Sequence, residues 1–293
     1  MAAQIFDGQA LARTMRKEID TEIKAFKDRY QITPTIAVVR AGEDPASVSY
    51  AGAIQRSFEG RGLGFQMHAL PEDVREADFV AQVARLNKDP TIHGIMIQEP
   101  LPRGIRSEVI TEALSPLKDI DGVHPVNAGR LAQAAPAGRP PEVFDFFVPA
   151  TPAGGLEILK RYNIPIAGQH AVIVGRSRIV GKPMALLLLR ENATVTLCHS
   201  RTRDLAAICR QADIICAAVG QPRLIRAEMV QAGAAVIDFG VNFVDGKMVG
   251  DVDFDSVQTV AGWITPVPGG TGPMTNIMLL RNVLEAARRQ VSD

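Results

Sequence analysis

The sequence predicts an α/β protein of two domains, and three observations carry that prediction. Ala171 to Val174, an apolar run without alternation, and Ile92 to Ile97, apolar enough for a buried strand, stand between segments of helical periodicity. This is the pattern of parallel strands covered on both faces. The stretch Ala134 to Pro141, AAPAGRPP, holds three prolines and a glycine and reads as a linker between two such sets. Third, Gln169 to Pro183, QHAVIVGRSRIVGKP, passes from an unbroken apolar strand into a turn bounded by Gly175 and Gly181, then into a helix with Pro183 in its first turn. At 293 residues with 46% hydrophobic side chains, the chain is long enough for about two domains with sizeable cores.

From the N-terminus, Leu11, Met15, Ile19, Ile23 and Phe26 fall three or four apart and form one face of a helix over Gln9 to Phe26. Thr35 to Val39 reads as a strand. Asp44 then caps a helix that has Pro45 at its first position and reaches about Glu59. Strands at Phe65 to Leu70 and Ile92 to Ile97, with a helix over Ala77 to Leu86 between them, imply a parallel layer. Beyond the linker, a helix runs from Thr151 to Tyr162. Strands at Ala171 to Val174, Thr194 to Cys198, Asp213 to Val219 and Ala234 to Phe239 alternate with helices at Met184 to Arg190, Leu205 to Cys209 and Glu228 to Gln231, which predicts a doubly wound, Rossmann-like domain. The glycine- and proline-rich run Thr265 to Thr275 is either a linker or a loop fixed round a ligand; its lack of charge and its entry into an apolar helix, Asn276 to about Arg288, favour the fixed loop. That last helix is expected to pack back on the first domain, giving domains of 1–138 with 272–293, and 139–271.

Composition excludes several classes. Lys+Arg equals Asp+Glu at 32 each, so no strong overall field gathers nucleic acid or an anionic membrane. Cys198, Cys209 and Cys216 lie among apolar residues without metal-ligand spacing and read as buried thiols of a reducing compartment; the five histidines are scattered, so no metal is expected. The N-terminus lacks an apolar signal core and no stretch reaches the ~18 apolar residues of a membrane span. The expectation is a soluble, cytoplasmic protein.

The glycine turn at 175–181 suits a phosphate: glycine lets the backbone approach closely, and a helix N-terminus favours negative charge. Its spacing is not the usual G-x-G-x-x-G, so a plain strand-to-helix turn is the competing reading. Two further stretches fall where strands of an open sheet end and ligands gather. One is Gln98-Glu99-Pro100-Leu101-Pro102; the other is the polar loop Lys118 to Asn127, KDIDGVHPVN.

The runs KDIDGVHPVNAG, GRSRIVGKP, TVTLCHS, ADIICAAVGQP, GDVDF and ITPVPGGTGPMT, in this order over most of the chain, closely resemble the methylenetetrahydrofolate dehydrogenase/cyclohydrolase family. The resemblance implies an N-terminal α/β domain completed by the last helix, an NADP-binding second domain, folate in the cleft between them, and a homodimer. It also implies oxidation of 5,10-methylene-tetrahydrofolate with NADP, then hydrolysis of the methenyl product to 10-formyl-tetrahydrofolate. By the same resemblance Tyr50 stacks on the folate ring system, Asp121 hydrogen-bonds the pterin edge, Gln98 supports a catalytic lysine, and Pro268, Gly269 and Gly270 line the cleft. Gly175, Arg176, Ser177 and Ile179 hold the cofactor phosphates with Ser200 and Arg201 nearby, and Gly220, Asn242 and Thr275 complete the cofactor set. An arginine at this turn suits a 2′-phosphate and favours NADP over NAD. Without the resemblance, Arg176 would read as a solvated charge, Tyr50 as a packing tyrosine and Asp121 as a turn aspartate.

The chain departs from the family where the lysine should be, four residues after the tyrosine: that position is Ile54. Arg56 lies about 200° round the helix from it and is a poor base. Glu99 stands where the family has leucine, Ala150 replaces a cysteine and Thr271 a valine. Hydride transfer driven by a folate nitrogen needs no proton moved by the protein, whereas hydrolysis is general acid–base work. The expectation is a dehydrogenase with weak or absent cyclohydrolase activity. Full bifunctionality through Glu99, a non-catalytic folate- and NADP-binding protein, and an oxidoreductase acting on another substrate remain the alternatives.

Overall fold

The computed structural model describes residues 2–137 and 145–291. In chain order the elements are β1 (Gln4–Ile5), α1 (Gly8–Tyr30), β2 (Thr35–Ala41), α2 (Pro45–Glu59), β3 (Gly64–Leu70), α3 (Glu76–Lys88), β4 (Gly94–Ile97), α4 (Ser107–Ala113), α5 (Pro125–Gln133) and α6 (Ala150–Arg161). They continue with β5 (His170–Val174), α7 (Gly181–Arg190), β6 (Thr194–Cys198), α8 (Leu205–Cys209), β7 (Ile214–Ala217), β8 (Ala235–Asp238), β9 (Asn242–Val244), β10 (Lys247–Val249), α9 (Phe254–Val257), β11 (Trp263–Ile264) and α10 (Thr271–Val291).

The chain forms two compact units: residues 1–15, 131–145 and 149–278, and residues 16–130, 146–148 and 279–293. The first is built on a six-stranded sheet in the order β1-β11-β8-β7-β5-β6, every pair parallel. Its strands read as unbroken apolar runs because both faces are covered; one face packs Val172, Val174, Ile215, Ala217 and Val236 into a continuous core with Cys198 and Cys209. Both thiols and Cys216 are buried and free. The second unit holds a three-stranded parallel sheet, β3-β2-β4. Ala37, Val39 and Ala41 of β2 face a core with Phe79, Val83, Leu86 and Ile110 from α3 and α4.

Several sequence expectations change in detail. The domain division put residues 1–138 together, but β1 pairs in parallel with β11, which ties the first residues to the six-stranded sheet. Residues 138–141 of the expected linker lie outside the described residues. The last helix begins at Thr271 rather than Asn276, since Pro273 falls in its first turn, where a missing N–H costs nothing. The expected helix at Glu228 to Gln231 is only a 3-10 turn over Ala227–Met229. The hairpin β9–β10 was not anticipated, although its turn, Asp245-Gly246 with φ of 50° and 73°, is a strong hairpin signal. In the second unit α10 docks as expected: Asn282 Nδ2 donates to the carbonyls of Ile120 and Val148, and Gln290 Nε2 to that of His93. No helix among the described residues is long and apolar enough to cross a membrane.

Candidate functional site

In the three-stranded unit, α2 carries two of the singled-out positions. Asp44 Oδ1 accepts from Ser47 N at 2.9 Å and Pro45 fills the first position, so the helix starts where the sequence placed it. Its buried residues Ser47, Ala51, Ile54 and Phe58 recur at intervals of three or four and make one inward stripe. Ile54 is 0% exposed, while Arg56 is exposed on another side. Tyr50 is half-buried at the margin of the stripe. Burial, and then the charge of Asp121, push its hydroxyl well above the ordinary tyrosine range.

Asp121 follows the end of the loop that closes on β4. Burial, with a smaller contribution from Asp119, pushes its carboxyl up to about 7. Asp119 itself is fully buried and holds the loop together: it accepts from Asn127 Nδ2 at 2.7 Å, His124 N at 2.8 Å and Val123 N at 3.2 Å. Burial raises its pKa as well. Lys118 is turned inward, donating to the carbonyls of Leu86 and Asp89. Thus Asp121 is the one acidic group of the KDID run that keeps its carboxylate for something other than the loop.

Gln98 lies just beyond β4, buried, and its amide donates to the carbonyl of Ser47. Its Oε1 is buried without a partner. Glu99 is turned the other way and exposed; its carboxylate accepts from Leu101 N at 3.1 Å and Ser107 Oγ at 2.9 Å. The structure therefore brings Tyr50, Ile54, Gln98 and Asp121 into one unit. Pro268, Gly269 and Gly270 belong to the six-stranded unit, in the loop before α10.

In that unit β5 ends at Val174 and Gly175 turns the chain with φ +127°, a backbone state L side chains rarely adopt. A Cβ there would lie 2.1 Å from the carbonyl oxygen of Ala218, and one on Gly181 would lie 2.1 Å from that of Gly175. Glycine at both positions lets the β5 and β7 ends and the start of α7 close together. Ser177 Oγ accepts from Val180 N at 3.1 Å and Gly181 N at 3.2 Å, which fixes the turn and leaves the exposed Arg176 and Ile179 at its rim. After β6, His199 N donates to Thr202 Oγ1 and Arg201 N to His199 Nδ1, presenting Ser200 and Arg201 to solvent. The positive end of the α7 dipole, a glycine cradle and arginines on neighbouring turns fit a dinucleotide phosphate.

Two aspartates that sequence reading did not single out hold the rest of this edge. Asp251, from the GDVDF run, is fully buried and accepts from Val219 N at 2.6 Å, Gly220 N at 2.9 Å and Asn242 Nδ2 at 2.9 Å. Asp238 at the end of β8 accepts from Gly240 N, Asp251 N and Val252 N. Its carboxyl is pushed up to about 6, chiefly by burial. Together they tie the loops after β7, β8 and β10, so Gly220 and Asn242 share one anchor. Thr275 Oγ1 sits 3.3 Å from Thr151 Oγ1 and from the Thr271 carbonyl, on the first turns of α10 and α6. Among the described residues no cluster of three or more His, Cys, Asp or Glu could hold a metal ion.

Residues 6–121 match the tetrahydrofolate dehydrogenase/cyclohydrolase catalytic domain, and residues 149–291 match the NAD(P)-binding domain of the same family. The chain is 53% identical over 293 residues to the bifunctional protein FolD of Roseiflexus sp. (strain RS-1), covering 100% of this chain and 99% of that protein. The solved structure of the bifunctional FolD methylenetetrahydrofolate dehydrogenase/cyclohydrolase from Campylobacter jejuni is similar with a TM-score of 0.93 and 39% identity, over 98% of this chain and 99% of its own. That of the Trypanosoma brucei dehydrogenase-cyclohydrolase, complexed with NADP cofactor and inhibitor, gives 0.92 and 36% over 100% of both. The sequence match along both units, and the fold that goes with it, make this chain a member of the tetrahydrofolate dehydrogenase/cyclohydrolase family.

Proposed function

We propose that the protein oxidises 5,10-methylene-tetrahydrofolate to the 5,10-methenyl form with NADP, and that its cyclohydrolase activity is weak. The observation that carries the second half is Ile54, fully buried on the inward stripe of α2 where the family resemblance expects a lysine. Bound NADP supplies the hydride acceptor. Gly175, Ser177 and the start of α7 would hold its pyrophosphate, and Arg176, Ser200 and Arg201 a 2′-phosphate. On the folate side Tyr50 offers a ring face, Asp121 a carboxylate for the N–H groups of the pterin, and Gln98 an acceptor. None of these has to move a proton for the oxidation, because a folate nitrogen lone pair expels the hydride.

Hydrolysis differs. An attacking water must lose a proton and a leaving nitrogen must gain one, and isoleucine does neither. Glu99 is a poor substitute, since its two oxygens are committed to Leu101 N and Ser107 Oγ. The bifunctional names of the relatives favour the competing reading, a fully active cyclohydrolase. Paired assays decide between them. The expected result is NADPH formation from methylene-tetrahydrofolate, with methenyl hydrolysis no more than about tenfold above the spontaneous rate and raised roughly 100-fold or more in Ile54→Lys. Wild-type hydrolysis matching the variant's would overturn the reading. The resemblance also implies a homodimer; the apolar Val241 and Phe243 exposed on the β9–β10 arm are surface such a contact would cover, and a single-protomer mass in sedimentation would refute it.

A further inference from the structure

Arg40 occupies the central strand of the three-stranded sheet. Strand alternation sends Ala37, Val39 and Ala41 into the core under α3 and α4, so Ile36, Val38 and Arg40 face the other way. Gln98 shares that face. β2 and β4 are parallel with Val38 beside Met96 and Val39 beside Ile97, which sets Arg40 beside Gln98 at the next step. The bond from the Gln98 amide to the Ser47 carbonyl shows that α2, with Ile54 on its inward stripe, covers this same face.

The guanidinium here is unusual in its surroundings. Arg40 is 9% exposed, and the ion pair it has among the described residues is a 3.8 Å contact to Glu43, whose side chain is 89% exposed. Its Nε has no hydrogen-bond partner, and neither has Gln98 Oε1. A buried donor and a buried acceptor, each unsatisfied and on adjacent strands at the C-terminal edge of a parallel sheet, are costly to maintain unless a ligand uses them. What suits the pair is a small group that accepts from Nε and donates to Oε1. A water molecule does both.

We propose that Arg40 and Gln98 hold the water that attacks the one-carbon unit, so that the chain keeps a slow methenyl-tetrahydrofolate hydrolysis driven by orientation in place of proton transfer. This rests on the folate reading of the Tyr50, Gln98 and Asp121 site. Nε–H donates to the water oxygen and Oε1 accepts one of its protons, leaving a lone pair for the methenyl carbon. The oxygen–carbon bond forms as a water proton passes to solvent. The bond from that carbon to one ring nitrogen then breaks as the carbinol oxygen forms the formyl C=O and its hydroxyl proton passes to solvent; the electron pair of the broken bond returns to the nitrogen, which takes a proton from solvent. Guanidinium stays protonated throughout, so acid–base acceleration is forgone and the gain is limited to positioning.

The test follows 5,10-methenyl-tetrahydrofolate hydrolysis by the full-length protein, with the spontaneous rate in the same buffer subtracted. Wild type should exceed the spontaneous rate by roughly tenfold. Arg40→Met should remove that excess while dehydrogenase kcat/KM stays within about threefold, and Arg40→Lys, which keeps a donor cation, should restore most of it. Arg40→Gln serves where the Met variant does not fold, with the same expected loss. A purely structural role would lower both activities together, and that outcome overturns the proposal, as does a wild type with no excess rate. Absence of dehydrogenase activity in wild type would instead refute the reading under Proposed function.

Discussion

The sheet edges of the two units treat buried polar groups differently, although each unit holds an exception: Asn276 Oδ1 of the first is buried without a partner, and Asp119 of the second takes three donors. At the edge of the six-stranded sheet almost every such group is satisfied by the protein: Asp251 and Asp238 take up six donors between them, and Ser177 closes its own turn. At the edge of the three-stranded sheet, Gln98 Oε1 and Arg40 Nε are left without partners, and Asp121 and Tyr50 are displaced from their ordinary pKa values by burial. A surface that binds a preformed anion works best rigid and complete in itself. A surface that must meet a changing substrate keeps unsatisfied groups in reserve, at a cost in stability.

If that contrast is sound, the six-stranded edge should fail when one hub is removed. Asp251→Ala leaves Val219 N, Gly220 N and Asn242 Nδ2 without an acceptor, a cost of roughly 3 to 5 kcal/mol. NADP affinity should fall tenfold or more in calorimetric titration while a folate analogue binds as before; unaltered NADP affinity would remove Asp251 from the account. Gly175→Ala should be nearly as severe, roughly 3 kcal/mol in denaturant unfolding, since the new Cβ meets the Ala218 carbonyl at 2.1 Å in a disfavoured φ. A loss under 1 kcal/mol, on the order of a surface change, would mean that the β5 and β7 ends separate easily.

The other side is sharpened by pH. Asp121 has an ordinary value of 3.8 and a folded value of about 7, so the folded state binds its proton more tightly than the unfolded chain does. Stability from this group is complete below the ordinary value and is lost as pH rises toward 7. Asp121→Asn should therefore flatten the fall of stability between about pH 4 and pH 7 relative to wild type, measured as a difference in melting temperature. The same proton opposes a ligand whose N–H groups need a carboxylate, so folate-analogue affinity should weaken below about pH 7 in wild type. A pH-independent affinity would show that Asp121 does not face the pterin.

Much of the fold was legible because periodicity is a local property. The apolar runs of β5, β7 and β8 and the face of α1 follow from burial on two sides or on one, and the Asp44-Pro45 start of α2 follows from capping chemistry. The two-residue strands β1 and β11 were invisible, since neither is long enough to show a period: β1 exists only by pairing with β11, and β11 by pairing with β1 and β8. The site divides the same way. Gly175 to Pro183 and the KDIDG run announced themselves as motifs. Asp251 lay in the recognised GDVDF run without a role, and Asp238 and Arg40 gave no signal, because an isolated charge in a sequence gives no sign of whether it will be buried or what will face it.

By itself, then, the sequence determined most of the strand and helix order, the glycine turn, the family resemblance and an isoleucine at position 54 where that resemblance expects a lysine, all of which depend on residues close together in the chain or on runs long enough to recognise. Tertiary structure alone decided that Asp251 gathers loops 32 and 9 residues away, that Glu99 is engaged elsewhere, and that Arg40 stands beside Gln98. Those depend on strand register and on burial, which convert sequence-distant polar groups into partners or leave them without any.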